Sequence, residues 1–146
     1  MGNVTTTGVC AHATTTGYSA HATTTGDYAH ATTTGAYAHA TTAGGHARAT
    51  TTGNDAHALT AGFLSSAYAS AGFLSSASAP GENSIAAAFG ANSSARAADG
   101  GFIVLAQYDG DTVVAVKTAQ VGRDGIKPDT WYKLSPTGEF VEAEVE

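Results

Sequence analysis

The chain of 146 residues carries a net charge of −6, only 12% of its residues are charged, and Ala, Thr and Gly together supply 71 positions. Too few Lys and Arg are present to neutralise the phosphates of duplex nucleic acid, and too few large side chains lie in the first hundred residues for a conventional core. Low charge combined with a strict repeat also argues against disorder, the lone Cys10 allows no intrachain disulfide, and nothing reads as a cleaved leader or a membrane-spanning run.

From Thr5 a nine-residue unit, T-T-T-G-x-x-A-H-A, recurs. Its glycines are Gly8, Gly17, Gly26, Gly35, Gly44, Gly53, Gly62, Gly72, Gly81 and Gly90; one extra residue falls near Tyr68. A helix is excluded, because Thr is β-branched and no 3.6-residue period is present. Read as strand, A-H-A-T-T-T is extended and G-x-x is the turn. Alternation then puts both Ala and the middle Thr on one face, and the His with the first and third Thr on the other. The small face is expected inside, where Ala lets two sheets approach closely. Six extended residues span about 20 Å, which a three-residue turn cannot recross. The sequence therefore predicts an all-β fold: a β-roll with two units per coil, over residues 1–98. This resembles parallel β-rolls built from nonapeptides, but the acidic turns of the calcium-binding kind are missing, so no calcium and no other cofactor is expected.

Two units per coil set His12 and His30 on one sheet, followed by Arg48, and His21, His39 and His57 on the other. These five histidines are the candidate metal ladder, since imidazoles about 4.8 Å apart could hold zinc, nickel or copper between neighbours. The T-x-T array on the same faces resembles that of ice-binding β-solenoids. No catalytic motif is present, and periodic histidines on a flat face single out no general base, so an enzyme is not expected.

After Leu59 the turns become Phe63-Leu64 and Phe73-Leu74, apolar side chains where water is the usual neighbour. These four are the candidate oligomer contact, with packing against the C-terminal region or a local loop as the alternative. Gly81-Glu82-Asn83-Ser84-Ile85-Ala86 and the stretch from Gly90 to Ala97 resemble the head repeats of trimeric autotransporter adhesins. That resemblance implies a homo-oligomer, with a trimer favoured.

Residues 99–146 are conventional in composition. Phe102 to Tyr108 and Thr112 to Val121 read as a hairpin around Asp109-Gly110-Asp111, and Thr130 to Leu134 with Glu139 to Glu142 as another. This small antiparallel module is expected to cap the roll. The repeats followed by Gly-Phe-Ile-Val-Leu-Ala-Gln-Tyr, Asp-Thr-Trp-Tyr-Lys-Leu and Gly-Glu-Phe-Val-Glu resemble uncharacterised repeat proteins of bacteriophages and prophages. The resemblance implies a non-enzymatic structural or binding protein, of a tail fibre, a spike or a sequestering kind, working on the virion or in the host cytoplasm. A host surface or host protein is the implied ligand, and no membrane insertion is expected.

Overall fold

A computed structural model describes residues 2–70 and 72–144. All regular structure is β. In chain order the strands are β1 (Asn3–Thr7), β2 (His12–Thr16), β3 (His21–Thr25), β4 (His30–Thr34), β5 (His39–Ala43), β6 (Arg48–Thr52), β7 (His57–Ala61), β8 (Ser66–Ala69), β9 (Ser76–Ala79), β10 (Ile85–Ala88), β11 (Ser94–Ala97), β12 (Phe102–Asp109), β13 (Thr112–Gln120), β14 (Tyr132–Leu134) and β15 (Phe140–Glu142). Odd strands from β1 to β11 form one parallel sheet, here sheet A. Even strands from β2 to β12 form the other, sheet B. The chain is thus a β-solenoid of about 6 turns, one strand out and one strand back per turn. His12 pairs with His30 and His21 with His39, which establishes the two-unit coil.

Each unit closes in the same way. The turn glycine from Gly8 to Gly72 has a positive φ, and in every turn so does the second residue after the glycine, from Cys10 and Ser19 through Asn83 and Asn92. The glycine is dictated by its neighbour on the rung below as well as by its φ. A Cβ on Gly35 would lie 2.1 Å from the carbonyl oxygen of Gly17, and one on Gly53 2.2 Å from that of Gly35. The turns stack by main-chain bonds such as Gly17 N–H to Thr34 O and Ser19 N–H to Ala36 O, both 2.9 Å.

The interior follows the expected faces. Ala13, Ala22, Ala31, Ala40, Ala49 and Ala58 are buried, as are Ala20, Ala29, Ala38 and Ala47, so the sheets meet through methyl groups. Ala11 departs from this pattern: it belongs to the first turn, with no full rung beneath, and is half-buried. The middle threonines also point inward. Thr24, Thr33, Thr42, Thr51 and Thr60 are fully buried, and none of their hydroxyls meets a hydrogen-bonding partner in the protein.

From β8 onward, serine replaces the Ala that follows each turn, and its hydroxyl acts on the backbone of other rungs. Ser65 Oγ donates to Gly44 O and accepts from Ala47 N–H, Ser75 Oγ donates to Gly53 O, and Ser84 Oγ donates to Gly62 O. The extra residue sits later than the sequence suggests. Ala69 still pairs with Thr51 and Ser70 bonds Thr51 O, whereas Gly72 stacks on Gly53. The spacing between rungs therefore changes from 18 to 19 residues between Ser70 and Gly72.

β12 is both the last parallel rung, paired with β10, and the antiparallel partner of β13. Larger side chains enter the core here: Ile103, Leu105, Val121, Ile126 and Tyr132 join the alanines. β14 joins sheet A beyond β11 through Ala95 and Tyr132, and β15 completes the hairpin. The Tyr132 hydroxyl accepts from Lys127 N–H at 2.9 Å, which ties the connection to the hairpin. The antiparallel strands thus extend both sheets beyond the last parallel rung.

Candidate binding surface

In-register pairing turns every outward position into a column. On sheet A one column runs Asn3, His21, His39, His57, Ser76 and Ser94; beside it run Thr5, Thr23, Thr41, Leu59, Ser78 and Arg96. On sheet B the matching columns are His12, His30, Arg48 and Ser66, and Thr14, Thr32, Thr50 and Tyr68.

The imidazoles stack. Ring centroids are 4.9 Å apart for His12 and His30, 4.7 Å for His21 and His39, and 4.8 Å for His39 and His57, with interplanar angles of 4°, 2° and 17°. Burial pushes the imidazoles of His30, His39 and His57 below the ordinary histidine range. Neighbouring charge adds to this for His30 (His12 and Arg48) and His39 (His57 and His21), while Asp55 opposes it at His57. A ring-nitrogen lone pair lies in the ring plane, so stacked parallel rings aim their nitrogens in parallel rather than at one ion. His57 Nδ1 is already engaged with Ser76 Oγ. Among the described residues, His, Cys, Asp and Glu nowhere form a group of three placed to hold a metal ion. The columns exist as expected, but as stacks rather than as chelating sets.

The His57–Ser76 contact is also the closest approach to nucleophile-and-base chemistry. Ser76 is buried under the ring, and among the described residues no carboxylate accepts from the imidazole. Access and the orienting third group are both missing from that pair.

The four apolar turn residues do not come together. Phe63 and Leu64 lie on the edge where sheet A passes into sheet B, and Phe73 and Leu74 on the opposite edge, because one strand separates the two turns. All four are exposed. The Phe63 edge continues an aromatic row, in which Tyr28 stacks on His46 at 5.0 Å and His46 meets Phe63 edge-on at 6.5 Å; on the other edge Tyr18 lies 5.2 Å from Tyr37, and the Asn54 turn separates that pair from Phe73.

Two residues outside the sequence-derived candidates shape the surface. The Arg96 guanidinium lies over the Trp131 ring, 4.9 Å from its centroid, and Arg96 Nε donates to Ser78 Oγ at 2.8 Å. Together with His39, Thr41, His57, Leu59 and Ser76 they line a shallow groove on the outer face of sheet A, which takes no carboxylate from the described residues. A neighbouring hollow shares His57 and Ser76 and is edged by Asp55 and Glu144. Arg96 could have been noticed as one of only two arginines in the repeat. Its partner Trp131 could not, since that contact depends on how β14 docks.

Together these features define the chain as a two-strand-per-turn β-solenoid with stacked outward columns and one cationic, aromatic-ended groove. No family model, curated protein or solved structure matches it.

Proposed function

We propose that this protein is a non-enzymatic structural and binding module of the bacteriophage kind its sequence resembles, acting on the particle or in the host cytoplasm, and that it takes its ligand on the outer face of sheet A. The observation that carries this reading is the groove around Arg96, Ser78 and Trp131. A guanidinium held by a serine and an aromatic ring keeps a planar fork in place, next to a row of hydroxyls. That combination suits a carboxylated saccharide: the fork takes the carboxylate, Thr41 takes a hydroxyl, and Leu59 meets an apolar sugar face. Among the described residues no acid lines the groove, which in a chain of net charge −6 supports an anionic ligand.

Trp131 is the only tryptophan and reports on the site directly. Titration with a carboxylated polysaccharide such as polygalacturonate is expected to shift its emission, with neutral dextran giving little change and Arg96→Ala abolishing the response. An unchanged spectrum with both polymers would overturn the assignment of this face.

A second reading rests on sheet B, where Thr14, Thr32 and Thr50 run in register beside Thr16, Thr34 and Thr52. A regular T-x-T array of this kind supports contact with ice. Thermal hysteresis lost in Thr32→Lys would favour it over the saccharide reading.

A further inference from the structure

β1 and β2 are terminal strands of sheets A and B, and among the described residues no strand continues either sheet beyond them. On the side facing the next rung, Gly8 and Gly17 N–H donate to Thr25 O and Thr34 O, and Gly2 O and Ala11 O accept from His21 and His30 N–H. Alternation along a strand then turns the N–H and C=O of Asn3, Thr5 and Thr7, and of His12, Thr14 and Thr16, away from the solenoid. The core is open at the same place: Val4 and Thr6 are half-buried, where Ala22 and Thr24 on the next rung are buried. Proteins blunt such edges with a fixed charge, a proline or a bulge. Neither Asn-Val-Thr-Thr-Thr nor His-Ala-Thr-Thr-Thr carries any of the three.

The geometry of this end selects its partner. Every nine-residue unit closes in the same way, so β2 sits half a rung, ~2.4 Å, further along the axis than β1. A single incoming strand would cover one sheet and leave the other bare. A second copy, turned about a twofold axis along the strand direction, covers both. It lays β1 on the partner's β2 and β2 on the partner's β1, and the two offsets cancel, so both seams close at one rung spacing. Thr5 and Thr14 are the centres of their strands. The antiparallel register therefore sets Thr5 opposite the partner's Thr14, Asn3 opposite the partner's Thr16 and Thr7 opposite the partner's His12. All of these residues turn their N–H and C=O to the seam, so each pair exchanges two main-chain bonds. The faces agree as well: Val4 and Thr6 meet the partner's Thr15 and Ala13 on the inner side, and the two cores become one. We infer that the β1–β2 end is a self-association surface, where two copies of this chain join end to end into one continuous pair of sheets.

The axis passes through the first turn, so the exposed Cys10 comes beside the partner's Cys10. A twofold contact uses the same patch on both partners and closes at two, where the resemblance to trimeric heads implied three. The inference is independent of the ligand assigned to sheet A.

Sedimentation equilibrium of the 146-residue chain across the micromolar range should give twice the 14.5 kDa chain mass. Thr14→Pro removes an N–H that only the seam uses and should abolish the dimer. Thr5→Lys with Thr14→Lys sets like charges across both seams and should weaken it at least about tenfold, while Thr5→Glu with Thr14→Lys sets opposite charges there and should keep it. Residue-resolved amide exchange of wild type needs no variant to fold. Protection should rise with concentration at Asn3, Thr5, Thr7, His12, Thr14 and Thr16, and stay unchanged at Ala13 and Thr15, whose amides already serve the next rung. Mild oxidation should join the two copies through Cys10. A 14.5 kDa species throughout, a trimer, undiminished association of Thr14→Pro, or a dimer that oxidation cannot join at Cys10 would overturn the inference.

Discussion

Gly17 and Gly35 occupy the same position on successive rungs and differ in what lies beneath them. Their φ values are 127° and 144°, so alanine is strained at both, by about 1–3 kcal/mol. A Cβ on Gly17 meets nothing within 4 Å, whereas one on Gly35 lies 2.1 Å from Gly17 O and 2.7 Å from its carbonyl carbon. Non-bonded carbon and oxygen do not approach within 3.0 Å, so the rungs must part by most of an ångström. That displacement loosens the Gly17 N–H to Thr34 O and Ser19 N–H to Ala36 O bonds, each worth about 1 kcal/mol net. Gly35→Ala should therefore cost about 2 kcal/mol more than Gly17→Ala. For a chain of this size that difference is about 6 °C in melting temperature. Calorimetry of the two variants beside wild type measures it. Equal losses would mean that the glycines are there for φ alone and that stacking does not demand them.

Two further outcomes follow from the interior and from the histidine columns. Thr33→Val keeps the shape of a fully buried side chain and removes a hydroxyl that has no partner in the protein, so it should stabilise by about 1–3 kcal/mol; chemical denaturation showing a loss instead would mean that the hydroxyl is satisfied in solution. His39 sits between two stacked imidazoles and, like His30 and His57, has its pKa held below the ordinary value of 6.5. The unfolded chain therefore takes up protons first, so stability is retained above pH 6.5 and declines from there down to the depressed folded values. The melting temperature should fall between neutral and mildly acid pH, and less steeply in His39→Gln; an acid-insensitive wild type would contradict the stacking argument.

The repeat was legible because its causes are local. Glycine every nine residues, a strand-length run of Ala and Thr, and the reach of six extended residues suffice to predict the coil, its inner face and its histidine columns. Coil parity also holds the answer for Phe63 and Phe73: one intervening strand puts them on opposite edges, and the sequence contains everything needed to see it. Ser65, Ser75 and Ser84 carried a weaker signal. A hydroxyl in place of an inner alanine demands an acceptor, but only the stacked backbone reveals the Gly44, Gly53 and Gly62 carbonyls. The Arg96–Trp131 contact and the double role of β12 were not legible, because both depend on how a non-repetitive segment docks onto the last rungs.

The in-register stacking of rungs has a consequence for length and phase. Duplication of eighteen residues adds one turn, about 4.8 Å along the axis, and leaves everything downstream facing as before. Duplication of nine residues adds a strand that fits equally well, yet rotates everything downstream by half a revolution. The C-terminal hairpins would then point away from surfaces they had shared with the first rungs. Such a chain can lengthen without a new core, but a binding face near one end stays aligned with the other end only when repeats are gained or lost in pairs.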